Sequence, residues 1–208
     1  KSLFKNKLII ITEIKDNTLI NVARKLNAEI IEHQDFIGGR YSVMSEVGMF
    51  PSALMGLNIY RFKSLKKLIK NKFFVSKLIQ NVASIYTLSN QGIKNSVVFN
   101  YDFSFNDLCS WYQQLVAESL GKKGKGITPI LSTGPKDHHS VLQLYLDGTK
   151  DKFFTFFNSS QNDNKKKIPG IIVPNNMKFL KNKKLASIIN AQCNATKNVF
   201  KLKNIPYR

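Results

Sequence analysis

Long apolar runs are what this 208-residue chain most plainly lacks: no uninterrupted stretch approaches the roughly 18 residues that cross a bilayer. No signal peptide with a cleavage site follows the basic start. Both absences point to a soluble, cytoplasmic protein with no membrane partner. Cysteine is almost missing as well, with only Cys109 and Cys193, far apart and without CxxC or Cys/His ligand spacing. Both are read as reduced, structural thiols. Histidine is limited to His33, His138 and His139. Adjacent helical side chains point about 100° apart, so His138 and His139 make a poor chelate, and no metal is expected. No G-x-S-x-G elbow is present to support a Ser-His-Asp hydrolase.

Arginine is scarce too, restricted to Arg24, Arg40, Arg61 and Arg208, against 28 lysines. A formal charge of +19 invites a nucleic-acid partner, but its texture argues otherwise. The lysines are spread along the chain among many Asn and Ile. The runs Lys122-Lys123-Gly124-Lys125, Lys165-Lys166-Lys167 and Lys181-Asn182-Lys183-Lys184 lack interleaved aromatics or arginines, and they read as solvated surface rather than a binding stripe.

The order of elements indicates an α/β protein. Lys7 to Thr12 is β-rich, Asn17 to Asn27 has helical spacing of Leu19, Ile20, Val22, Ala23 and Leu26, and Ala28 to Glu32 is strand-like. Such alternation predicts a layered α/β protein with a parallel sheet. Tyr60 to Leu88 reads as two lysine-rich amphipathic helices broken near Asn71. Ser96 to Asn100 is the next strand, followed by a helix over Ser104 to Leu120 that Gly121 stops as a C′ glycine. Ile127 to Leu131 is a strand that Pro129 assigns to an edge or a bulge. A helix over Asp137 to Leu146 ends at Gly148, Lys152 to Phe157 is a strand, and Ser159 to Lys167 is a polar loop. Ile168 to Val173 is expected as a short strand and Lys183 to Lys201 as a helix, with no capping element after it.

Three segments carry candidate chemistry. Gly38-Gly39-Arg40-Tyr41-Ser42 precedes an apolar, small-residue run, Val43 to Gly56, expected to be a helix packed on all sides. With Ser42 as its cap, Arg40 would sit beside free N–H groups and could grip an anion. The same residues also suit an ordinary glycine turn with a solvated arginine. In the second segment, Gln114 and Glu118 lie four residues apart and share a helix face. A carboxylate at a helix C-terminus is disfavoured by the dipole, although an exposed helical glutamate needs no function. The third segment, Ser132 to Ser140, sets His138 and His139 beside Asp137, which could orient one of them.

G-G-R-Y-S at Gly38 to Ser42, W-Y-x-Q-L-x-A-E-S-L-G-K at Trp111 to Lys122 and D-x-H-S-x-x-Q-L-x-x-D-G at Asp137 to Gly148 together resemble glucose-6-phosphate isomerases of the bacterial type. The resemblance implies two sugar isomerase (SIS) domains, each a three-layer αβα sandwich with a parallel sheet between helices. Lys1 to about Asn58 would belong to the first domain and residues 59–208 to most of the second. It further implies interconversion of glucose 6-phosphate and fructose 6-phosphate in glycolysis and gluconeogenesis, without a cofactor. Glu118 matches the base that moves a proton between C1 and C2 through a cis-enediol. Arg40, beside Gly39, matches the arginine that stabilises charge on that intermediate, and Gln114 matches a glutamine of the substrate pocket. His139 matches the ring-opening acid, which reaches a partner's active site in a dimer. His138 stands where the family usually carries glutamine, a departure that bears on how His139 is held. The family's serine- and threonine-rich phosphate segments and its C-terminal lysine are expected upstream and downstream of these 208 residues, so the chain by itself is expected to be inactive or nearly so. A different class, a sugar isomerase domain that only senses phosphosugars, would need neither base nor acid.

Overall fold

The computed structural model describes residues 8–159 and 167–208, which form two compact units meeting between Asn81 and Val82. In the first unit, β1 (Ile9–Thr12) and β2 (Glu29–Glu32) pair in parallel, with Ile9 opposite Glu29 and Thr12 opposite Glu32. The crossover is α1 (Thr18–Leu26). Asn17 caps its start by accepting the Ile20 N–H at 2.9 Å, and Asn27 ends it in the left-handed region that asparagine tolerates. Ile20 and Ala23 are the buried residues of this helix.

The stretch after β2 departs from expectation. Gly39–Met44 is a 3-10 turn, and the helix proper, α2 (Glu46–Leu54), starts only after it. Ser42 does not cap that helix: its hydroxyl donates back to the Gly39 carbonyl at 2.8 Å. Nor is α2 packed on all sides, since none of its residues is buried within the chain and Leu54 is 72% exposed. Gly48 is needed for another reason, because a Cβ there would lie 2.0 Å from the Val43 carbonyl oxygen. Helices α3 (Ile59–Lys63), α4 (Lys66–Lys70) and α5 (Lys72–Asn90) follow, three where two were expected. The break at Asn71 is real, and its side chain accepts the Phe74 N–H at 3.1 Å.

The second unit is built on β3 (Asn95–Asn100), β4 (Thr128–Thr133) and β5 (Lys152–Phe157), all parallel, in the order β4-β3-β5. Pro129 therefore sits on an edge strand, where a missing N–H costs nothing. The connections are α6 (Asn106–Leu120), then α7 (Asp137–Ser140) and α8 (Leu142–Asp147), while α9 (Leu185–Leu202) follows β5. The helix expected over Asp137 to Leu146 is thus two, divided at Val141. Alternation along the strands feeds two cores. Val97, Phe99 and Phe154 face Tyr145 of α8 and Cys193 and Phe200 of α9. Ile93, Ile127 and Phe153 meet Ile85 and Leu88 of α5 and Val116 of α6. The result is helix, sheet, helix: the αβα sandwich that the family resemblance implies.

Gly121 closes α6 with φ −74°, outside the left-handed region expected of a C′ glycine. Close approach is its requirement, since a Cβ would come 2.6 Å from the Ala117 carbonyl oxygen. Ile168 to Val173 is not a strand but includes a 3-10 turn, Gly170–Ile172; Pro169, lacking an N–H, precedes it. Most of the polar loop expected over Ser159 to Lys167 lies outside the described residues. After α9, Phe154 N–H donates to Pro206 O and Arg208 N–H to Phe154 O, each at 3.0 Å, so the last residues extend the sheet beyond β5. Cys109 on α6 and Cys193 on α9 are both buried free thiols, and burial raises the pKa of each.

Candidate active site

Arg40 lies in the 3-10 turn of the first unit, with its guanidinium carbon 5.6 Å from the Tyr41 ring centroid. Gly38 is extended with φ −64°, and a Cβ added at Gly38 or Gly39 would meet nothing within 4 Å. Neither glycine is demanded by backbone strain or by crowding from the chain, so the diglycine leaves open surface beside Arg40. Nearby, His33 Nδ1 pairs with the Glu46 carboxylate and His33 Nε2 with the Ile37 carbonyl at 3.0 Å. The Glu46 partner raises the His33 pKa, and His33 lowers that of Glu46. This pair fixes the start of α2 to the segment after β2.

In the second unit, the expected Gln114–Glu118 face exists as a direct contact. Gln114 Nε2 donates to Glu118 Oε1 at 3.0 Å, and both residues are exposed near the end of α6. A carboxylate oriented by an amide and open to solvent can accept a proton from a small molecule placed over the helix end. His139 is exposed on α7, whose single turn is tightly anchored. Asp137 does not orient either histidine by hydrogen bonding. Its Oδ2 accepts from Ser132 Oγ and Thr133 N–H, each at 2.7 Å, and so ties α7 to the end of β4.

His138 turns inward instead. Its Nε2 lies 2.5 Å from the Tyr101 hydroxyl and 3.1 Å from Thr196 Oγ1, and its ring stands edge-on to Phe99. Burial lowers the His138 pKa, opposed by Asp137, and burial holds the Tyr101 phenol well above its usual range. Sequence reasoning missed Tyr101 and Thr196. Their only signals were a tyrosine directly after the β3 run and a threonine inside an apolar helix face, and neither is distinctive alone.

Glu118 and His139 lie at opposite ends of the sheet. The Asn106 side chain accepts from Asn100 at 2.9 Å, which puts the start of α6 at the C-terminal end of β3. Gln113 then donates to the Pro129 carbonyl at 2.9 Å, near the start of β4. Glu118 continues roughly 7 Å past that point at helical rise, whereas α7 lies roughly 13 Å the other way along β4. One copy of this unit cannot bring the two residues to one substrate. Among the described residues no group of three or more His, Cys, Asp or Glu side chains could hold a metal ion, and no helix is long and apolar enough to cross a membrane.

Fold and site together define a layered α/β protein in which Glu118 and His139 lie toward opposite ends of the second unit's parallel sheet. The phosphoglucose isomerase family model matches residues 25–197, and the chain belongs to that family. A glucose-6-phosphate isomerase of Methanocaldococcus jannaschii is 38% identical over 74% of this chain and 39% of its own. One from Campylobacter jejuni is 34% identical over 97% of this chain and 50% of its own. The chain therefore spans about half the length, or less, of these curated relatives. Among solved structures, a hypothetical protein from Thermus thermophilus superposes with a TM-score of 0.83 at 23% identity, over 96% of this chain and 50% of its own. A glucose-6-phosphate isomerase from Chlamydia trachomatis gives 0.67 at 18% identity, over 95% of this chain and 40% of its own. Those two likenesses concern the fold.

Proposed function

We propose that the full-length protein is an aldose–ketose isomerase that interconverts glucose 6-phosphate and fructose 6-phosphate in the cytoplasm. The observation that carries this reading is the exposed Gln114–Glu118 pair within a chain of the phosphoglucose isomerase family. Glu118 is the base that takes the proton from C2 of the open-chain aldose and returns it to C1. The electron pair left at C2 forms the C1=C2 bond of the enediolate as the carbonyl electrons move onto O1, where Arg40 stabilises the charge; the O2 proton passes to O1, and C2 becomes the carbonyl as C1 is reprotonated. Gly39 leaves room for the sugar, and Gln114 holds the carboxylate in place. His139 opens the ring by giving a proton to the ring oxygen as the C1–O5 bond breaks and the C1 hydroxyl proton passes to solvent.

The separation of Glu118 from His139 supports a homodimer in which the histidine serves the partner's site. Lys1 to Asn58 is the end of a first sugar isomerase domain, and residues 59–208 are most of a second. No nucleic acid or membrane is a partner. The test is Glu118→Gln in the full-length protein, assayed with glucose 6-phosphate by coupled detection of fructose 6-phosphate. Turnover should fall by about 10²- to 10⁴-fold, the usual contribution of a general base, while phosphosugar binding persists. Binding without turnover in the unmutated protein would favour a sensor domain instead.

A further inference from the structure

Among the described residues the ring-opening histidine of the proposed reaction has no hydrogen-bonded orienting partner of its own, but its immediate neighbour is clamped from two elements. Thr196 donates its hydroxyl proton to the Gln192 carbonyl at 2.9 Å, and Tyr101 donates its proton to Thr196 Oγ1 at 3.0 Å. With Tyr101 donating to Thr196, the His138 tautomer that carries its proton on Nε2 completes the network by donating to the Tyr101 oxygen, at 2.5 Å. The chain His138 N–H to Tyr101 O–H to Thr196 O–H to Gln192 C=O is then satisfied throughout, and such relays polarise one another. It ties α7 to the residue after β3 and to α9. Asp137 ties the preceding residue to β4 through Ser132 and Thr133. His139 is thus the exposed residue next to a doubly anchored dipeptide, on a helix of a single turn that has little rigidity of its own. Gly134 completes the arrangement, because a Cβ there would come 2.5 Å from the Tyr101 ring.

We propose that Tyr101, His138 and Thr196 form a positioning clamp that sets the direction of His139, so that they act on ring opening and not on the proton transfer at C1 and C2. This rests on the isomerase reading above. A residue displaced by about 1 Å can lose about 10²-fold in rate, so a loosened clamp should be visible kinetically.

The experiment uses the full-length protein with Tyr101→Phe, Thr196→Val, His138→Leu and His138→Gln, each checked for an unchanged melting temperature within a few degrees. Two readouts are taken with glucose 6-phosphate: steady-state isomerisation, and exchange between its two ring anomers followed by NMR in a Glu118→Gln background, where ring opening proceeds without isomerisation. A third is inhibition by an open-chain phosphosugar acid, which needs no ring opening. The first three substitutions should slow isomerisation and anomer exchange together, by roughly 10- to 100-fold, and leave the inhibition constant within about twofold. His138→Gln should retain most of both rates, since an amide N–H can replace the ring donor. Undiminished anomer exchange overturns the clamp. So does an inhibition constant that rises in step with the lost rate, which would mark collapse of the whole site. If the unmutated protein neither isomerises the sugar nor speeds anomer exchange, the isomerase reading fails and the clamp with it.

Discussion

Because Glu118 and His139 sit at opposite ends of the second unit's sheet, two different defects in two copies should cure each other. Take full-length protein carrying Glu118→Gln and a second preparation carrying His139→Ala. In a twofold-symmetric dimer each active site would draw Glu118 from one copy and His139 from the other, so either homodimer is defective at both sites. Unfolding and refolding an equal mixture gives about half heterodimers. In each heterodimer one site inherits both defects and the other inherits neither. About one quarter of the unmutated activity per total subunit should therefore appear, from two preparations that are each reduced by about 10²-fold or more. The assay is the coupled detection of fructose 6-phosphate, with the refolded single variants as controls. Activity no greater than the mean of the two controls would refute the shared site, and with it the placement of the two residues on separate copies. Spacing supports the expectation: roughly 20 Å separates the two positions along the sheet, far beyond the reach of a side chain.

Two further outcomes follow from contacts away from Glu118. His33 is raised above its ordinary value of 6.5, so its contribution is fully present below 6.5 and lost as pH rises through the folded value. Glu46 is lowered from 4.5, so its contribution is present above 4.5 and lost as pH falls through the folded value. Amide exchange of residues 33–46, corrected for intrinsic rates, should be slowest between about pH 4.5 and 6.5. A His33→Gln variant that keeps the same profile would contradict this. Gly134→Ala forces a methyl group against the Tyr101 ring, where it would lie at 2.5 Å, and overpacking of that kind typically costs about 1–3 kcal/mol. Urea unfolding of the variant measures it, and an unchanged midpoint would show that the ring yields freely.

Most of the layered architecture was legible because its signals are local and repeated. The strand Lys152 to Phe157 stands in the structure with the bounds read from its apolar run. Of the edge or bulge that Pro129 signalled, the structure shows the edge, where its missing N–H is tolerated. Composition could not show where helices restart. The run after Ser42 was apolar enough for one helix, yet Ser42 and Ser45 turn their hydroxyls back onto nearby carbonyls and favour a 3-10 turn first. Pro169 and Pro174 likewise spoil the β-rich look of Ile168 to Val173. At the candidate site, the Gln114–Glu118 contact followed from helical spacing alone. The Tyr101–His138–Thr196 contacts did not, because they join residues up to 95 positions apart in the chain. Nothing in a single sequence announces such a pairing.

Cys109 and Cys193 give the second unit a pair of built-in reporters. One thiol lies on a helix of each outer layer, and burial keeps both in the sluggish protonated form. Their rates of alkylation would therefore time the lifting of α6 and of α9 separately, without any added label. Whether the two layers come away from the sheet together or in turn can be read from chemistry the chain already carries.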